Sequence, residues 1–99
     1  MDAEALLFNK YRLSIMVLLA KQRSMTYNDL KSVVKTSDGN LATHLRKLED
    51  AGFVSVTKTF EGRKPKTIYT ITPEGEKELE KFMSNIEGLL EKFKGGKNK

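Results

Sequence analysis

The chain has no cysteine and a single histidine among its 99 residues. Disulfide frameworks, thiolate zinc sites, thiol nucleophiles and cysteine redox switches are therefore excluded from the chain itself. Long apolar runs are missing too. The longest, IMVLLA at 15–20, falls far short of the roughly 18 residues that suggest a membrane span, and no signal-peptide pattern precedes it. A cytoplasmic protein with no membrane partner is expected. The clustered acids Glu74, Glu76, Glu78 and Glu80 scatter around one helix without an accompanying base or nucleophile, so they read as solvated charge. No enzyme activity, cofactor or metal site is expected.

What remains is ordinary for a small globular domain: 38% hydrophobic and 31% charged residues. A core of this size gains from a partner subunit. The net charge of +5 is unevenly spread, since residues 1–73 hold 12 Lys or Arg against 7 Asp or Glu, and residues 74–99 hold 6 against 6. A basic body favours an anionic partner but does not name one.

Hydrophobic periodicity divides the chain into elements. A first helical pattern spans 3–21, with a break near Asn9, and Met25 can sit in a very short strand. Thr26 then precedes a second helix over 27–34, with Asp29 three residues on as a capping-box-like acid. The run Thr36–Asn40 is rich in turn and cap formers and opens a third helix over 38–51, stopped by Gly52. Leu41, Leu45 and Leu48 form its buried stripe, which turns Gly39, Asn40, Thr43, Arg46, Lys47 and Asp50 outward.

After Gly52 the period changes to two. Strands over 53–60 and 67–72 flank the Gly- and Pro-containing stretch EGRKPK, 61–66, and read as a hairpin with a basic loop. Thr72, Pro73 and Glu74 start a last helix to about Phe93. Along it, Leu79, Phe82, Ile86, Leu89 and Phe93 alternate steps of three and four, a heptad seam widened by Met83 and Leu90. One domain over 1–94 is expected, followed by a flexible polar tail at 95–99. The fold class is mainly α with a small β-hairpin (α+β).

This order of elements looks like a winged helix-turn-helix with N- and C-terminal flanking helices. The segment SDGNLATHLRKLEDAGFVSVTKTFEGRKPKTIYTITPEGEKEL, 37–79, closely resembles the compact transcriptional regulators related to the MarR and ArsR families. In those proteins a phrase of the type DGNLxxHLxxLExAGxV leads into a wing and then TxxG. The paired-cysteine metal-sensing motif known from many ArsR relatives is absent, so thiolate metal sensing is not carried over.

The resemblance implies a homodimer that binds double-stranded DNA as a sequence-specific transcriptional regulator. The third helix would read the major groove through Asn40 and Thr43 at base edges. Arg46 and Lys47 would be shared between bases and backbone, and Ser37 and Gly39 would present amide groups to phosphate. His44, at the edge of the buried stripe, is placed in the DNA-binding set, with a packed imidazole as its competing role. The basic loop, with Lys58, Arg63, Lys64 and Lys66, would contact the minor groove or backbone. The dimer surface would comprise Leu6, Leu7 and Phe8 together with Leu79, Phe82, Met83, Ile86, Leu89, Leu90 and Phe93. The competing function is a winged helix used for protein assembly without DNA reading. No residue pattern marks an effector pocket.

Overall fold

A computed structural model describes residues 2–97 of the chain. Asp2 caps α1 (Ala3–Leu7) by accepting from the Ala5 amide at 2.7 Å. Asn9 ends that short helix and caps the next: its Oδ1 accepts from the Tyr11 and Arg12 amides, both at 3.0 Å, at the start of α2 (Lys10–Gln22). The break expected near Asn9 is therefore a capped junction. Arg23 closes α2 with φ 72°, an uncommon conformation for a residue with a Cβ. Its side chain pairs with Glu76 across the domain.

Met25 lies in a true strand, β1 (Ser24–Thr26). Thr26 then caps α3 (Tyr27–Val33), accepting from the Asp29 amide at 3.0 Å. Residues 34–37 connect α3 to α4 (Asp38–Asp50), whose cap is Ser37, accepting from the Asn40 amide at 3.2 Å. The far end of α4 is a Schellman motif. Phe53 N–H donates to Leu48 O at 3.0 Å and Gly52 N–H to Glu49 O at 2.9 Å, with Gly52 at φ 81°.

The hairpin differs from its sequence reading. Strands β2 (Val54–Glu61) and β3 (Lys64–Ile71) pair from Val54↔Ile71 to Glu61↔Lys64, leaving only Gly62 and Arg63 as the turn. The six-residue loop expected at 61–66 does not exist. Gly62, at φ 66°, supplies the positive φ that a tight turn needs at its first central position, the pattern of a type II′ turn. Of the glycine and proline that suggest a loop, only the glycine lies in the turn, and Pro65 falls within β3. It is tolerated in β3 because β1 pairs only with 68–70 there, leaving the Pro65 stretch at a sheet edge where no donor is required.

The sheet order is β1-β3-β2, all antiparallel. Thr72 joins the sheet to α5 (Pro73–Lys97). Its hydroxyl donates to Gly52 O at 2.6 Å and accepts from Gly75 N–H at 2.9 Å, capping α5 while tying it to the end of α4. Helix α5 runs on through Gly95 to Lys97, so the polar tail expected at 95–99 is helical as far as it is described, and Asn98 and Lys99 lie outside the described residues.

The core gathers Leu7, Ile15, Met16, Leu19, Leu30, Leu41, Leu45 and Leu48, each at 0–1% exposure, with Phe53, Val54, Ile71, Leu79 and Phe82 around them. Burial of each α4 leucine contributes on the order of 2 kcal/mol and fixes which side of that helix faces out.

Candidate nucleic-acid interface

Helix α4 presents a continuous exposed face. Gly39, Asn40, Thr43, Arg46, Lys47 and Asp50 are all solvent-exposed, opposite the buried Leu41, Leu45 and Leu48. Its N-terminus is anchored from α3: Lys31 Nζ lies 3.1 Å from Asp38 Oδ1, and the Tyr27 hydroxyl donates to the same oxygen at 3.3 Å. Burial first, then the Asp38 charge, hold the Tyr27 phenol above its ordinary pKa, so it remains a donor.

Two of the expected contact residues are partly committed within the protein. The Ser37 side chain is the helix cap. The Thr43 hydroxyl donates to Gly39 O at 2.9 Å, which leaves its oxygen free only to accept and its methyl group free for apolar contact. Gly39 is the reverse case, because a Cβ built there would meet nothing within 4 Å.

His44 does not belong to the outward face. It is half-buried, stacks on Tyr11 of α2 with ring centroids 5.6 Å apart, and its Nδ1 lies 3.1 Å from Arg12 Nη1. Arginine is always protonated and donates, so His44 accepts through Nδ1 and carries its proton on Nε2. Burial lowers the His44 pKa, and the charges of Arg12 and Lys47 add to the effect. The structure thus places His44 between α4 and α2, in the packed role weighed against DNA contact.

Arg12 itself was not foreseen. It is 7% exposed, and its Nε donates to Leu6 O at 2.6 Å, so one guanidinium links the end of α1 to the middle of α4. No carboxylate pairs with it among the described residues. A signal was available: Arg12, Ile15, Met16 and Leu19 stand at i, i+3, i+4 and i+7, so the arginine occupies a position on the buried stripe of α2.

The hairpin divides its cations between two faces. Side chains alternate along a strand, so Val54, Val56, Lys58 and Phe60 share one face while Thr59 and Glu61 share the other. Lys58 and Val56 face α4 across a cleft that also holds Ala42, Arg46, Glu49 and Tyr69. Burial and then Glu49 raise the Tyr69 pKa, keeping that phenol protonated. On the other face Lys66 Nζ lies 3.2 Å from Glu61, and Lys64 and Lys66 border a groove shared with Tyr27 and Asp29. Arg63 stands at the turn and is exposed. The structure therefore brings Arg46 and Lys58 together and points Lys64 and Lys66 elsewhere.

The ten apolar residues expected at a subunit seam also divide. Leu6, Leu7, Leu79 and Phe82, at 0–5% exposure, are core within one chain and have almost no area left to offer a partner. The short α1 folds back on α2 and α5, which is why its leucines are consumed internally. Phe8, at 67%, meets Phe82 edge-on at 5.9 Å, while Met83, Leu89, Leu90 and Phe93 are exposed and Ile86 is half-buried.

A helix-turn-helix whose second helix has a free polar face, followed by a basic two-stranded wing, defines a winged helix DNA-binding protein. The chain belongs to the winged helix DNA-binding domain family, whose sequence profile matches residues 11–90. It is similar to an uncharacterised protein of Methanocaldococcus jannaschii, with 36% identity over 75 residues that cover 76% of this chain and 82% of that one. Among solved structures it resembles a transcriptional regulator homologue from Pyrococcus horikoshii OT3, with 31% identity, a TM-score of 0.84, and coverage of 90% of this chain and 88% of that one. It also resembles a structure described as a MarR-family transcriptional regulator from Enterococcus faecalis V583, with 28% identity, a TM-score of 0.76, and coverage of 97% and 86% respectively.

Proposed function

We propose that the protein is a homodimeric, sequence-specific regulator of transcription that lays α4 in the major groove of double-stranded DNA and sets its wing against the neighbouring minor groove or backbone. The observation that carries this reading is the shared orientation of Arg46 on α4 and Lys58 on the wing across one cleft, next to the exposed polar start of α4. B-DNA's major groove admits a helix, and cations on both sides of a concave surface match a phosphate strand. Asn40 is the base reader in this arrangement, with Thr43 accepting or making apolar contact. Arg46 and Lys47 serve bases and backbone together, and the amides around Ser37 and Gly39 meet phosphate. Lys58 and Arg63 supply the wing's direct attraction, while Lys64 and Lys66, on its other face, add only to the positive field around it.

A single module covers few base pairs, whereas two copies related by a two-fold axis read half-sites about one DNA turn apart. The exposed stripe of α5, with Phe8 beside it, provides the surface for that pairing. The deciding experiment is selection of bound duplexes from a random-sequence pool, followed by titration of Asn40→Ala. A relaxed preference at one base position with a loss of about 1–3 kcal/mol supports base reading by α4. Equal losses on every sequence reduce Asn40 to a backbone contact. Failure of the wild type to enrich any sequence overturns the reading.

A further inference from the structure

Phe60 is 68% exposed in the wing, an unusual place for a phenyl ring on a basic hairpin. It follows Val54, Val56 and Lys58 on the face of β2 that looks toward α4. Two residues of strand put it about 7 Å beyond Lys58 toward the turn, outside the cleft that Lys58 lines. Its cross-strand partner is Pro65, and the turn at Gly62 and Arg63 begins two residues later. The outer end of the wing therefore carries two apolar rings opposite one another, with Lys58 on the inner side and Arg63 at the tip.

Cations bracketing an exposed apolar ring fit a polyanion with an apolar interior better than they fit a protein surface. A protein partner that covered Phe60 would also have to desolvate Lys58 and Arg63, whereas a duplex neutralises them while offering sugar rims and base faces to the ring. The ring stands on a strand paired up to the turn: the turn has two residues, and Pro65 opposite has a fixed φ.

We infer that Phe60 is an apolar wedge of the wing, entering the minor groove beside the α4 site, partly unstacking one base step and bending the duplex. Insertion of this kind is inexpensive at flexible pyrimidine–purine steps, so the wing contributes sequence preference through deformability rather than hydrogen bonding. The inference rests on the DNA-binding reading above, and it adds a selective role to a hairpin otherwise assigned only to electrostatic attraction.

The test compares wild type, Phe60→Leu and Phe60→Ala on one duplex chosen from those the wild type retains out of a random pool. Affinity is read by fluorescence anisotropy at several salt concentrations, and bending by energy transfer between the duplex ends. Phe60→Ala should weaken binding about tenfold, by loss of a buried ring. The salt slope should stay unchanged because no phosphate contact is removed. Bending should fall, Phe60→Leu should keep most of both properties, and preference should relax only at the flanking step. Replacing adenine by 2,6-diaminopurine in the flank adds a minor-groove amino group without altering the major-groove edge, and should weaken the wild type more than Phe60→Ala.

Affinity within twofold of wild type together with unchanged bending would overturn the wedge alone. So would a loss accompanied by a shallower salt slope, or a change in sedimentation on Phe60→Ala, which would make the ring a protein contact. If the wild type retains no duplex, the wedge and the DNA-binding reading fall together.

Discussion

Gly39 occupies the second position of α4, where glycine is a poor choice for the helix itself and where the surrounding protein leaves open space for a side chain. The residue costs the fold conformational entropy and returns no packing. Gly39→Ala is therefore expected to raise stability by roughly 0.5–1 kcal/mol in chemical denaturation. If the helix start approaches phosphate closely, the same change should weaken DNA binding by about 1 kcal/mol. Greater stability with unaltered affinity would show that no backbone approach occurs there. His44 yields a pH dependence. Its folded pKa lies below the ordinary 6.5, through burial first and then Arg12 and Lys47. As pH falls through 6.5 the unfolded chain takes up a proton that the folded chain resists, so the stabilisation present above 6.5 is lost progressively toward the folded value. Protonation also removes the acceptor that Arg12 uses. Melting temperatures should fall on acidification through this window, and His44→Asn, which can still accept from Arg12, should flatten that part of the profile.

The joint between α4, the sheet and α5 depends on a glycine for a steric reason. A Cβ on Gly75 would collide with the Phe53 carbonyl oxygen and lie 2.9 Å from its carbon. The backbone there cannot retreat easily, because Phe53 O also accepts from Thr72 N–H at 3.0 Å and Thr72 holds Gly52. Gly75→Ala should cost about 3 kcal/mol in chemical denaturation, and a loss under 1 kcal/mol would mean that α5 can pivot away from the sheet. The TxxG phrase seen in the sequence is thus a docking device, with Thr as cap and Gly as contact surface. Much of the architecture was legible in this way, since caps at Thr26 and Ser37, the α4 leucine stripe and the change to period two after Gly52 are local signals. The hairpin turn is shorter than the sequence suggests because proline is a loop former unless it falls on a sheet edge, and edge position is a property of the whole sheet. The stripe of α2 marks Arg12 as buried, but its partners, Leu6 O and His44, come from two other elements and are not legible locally. The division of wing cations between two faces likewise required the register of β2 against β3.

At the scale of the molecule the question is what the far half of α5 is for. The chain measures 62 × 25 × 24 Å with a radius of gyration of 15.5 Å, against about 13 Å for a compact domain of this length. The excess reflects a 25-residue helix whose buried apolar residues, Leu79 and Phe82 among those described, lie in its first half. Leu79 and Phe82 belong to the core, but Met83, Leu89 and Leu90 continue the apolar stripe as exposed residues. Phe8 and the cleft between α1 and α5 lie alongside. An exposed stripe of this kind on a helix is stabilised by covering it, and a second copy related by a two-fold axis would do so while setting the spacing of the two α4 helices. Charging Leu79 would not test this, because a buried charge would unfold the chain before it separated subunits. The informative change is Leu89→Glu with Leu90→Glu, which sits outside the core. The wild type should sediment as a dimer and the variant as a folded monomer with an unchanged circular dichroism spectrum. The same variant should lose affinity for paired half-sites far more than for a single half-site, because only the dimer gains from engaging both. A variant that remains dimeric would place the subunit contact elsewhere on the molecule, and equal losses on single and paired sites would show that the stripe supports α4 rather than its spacing.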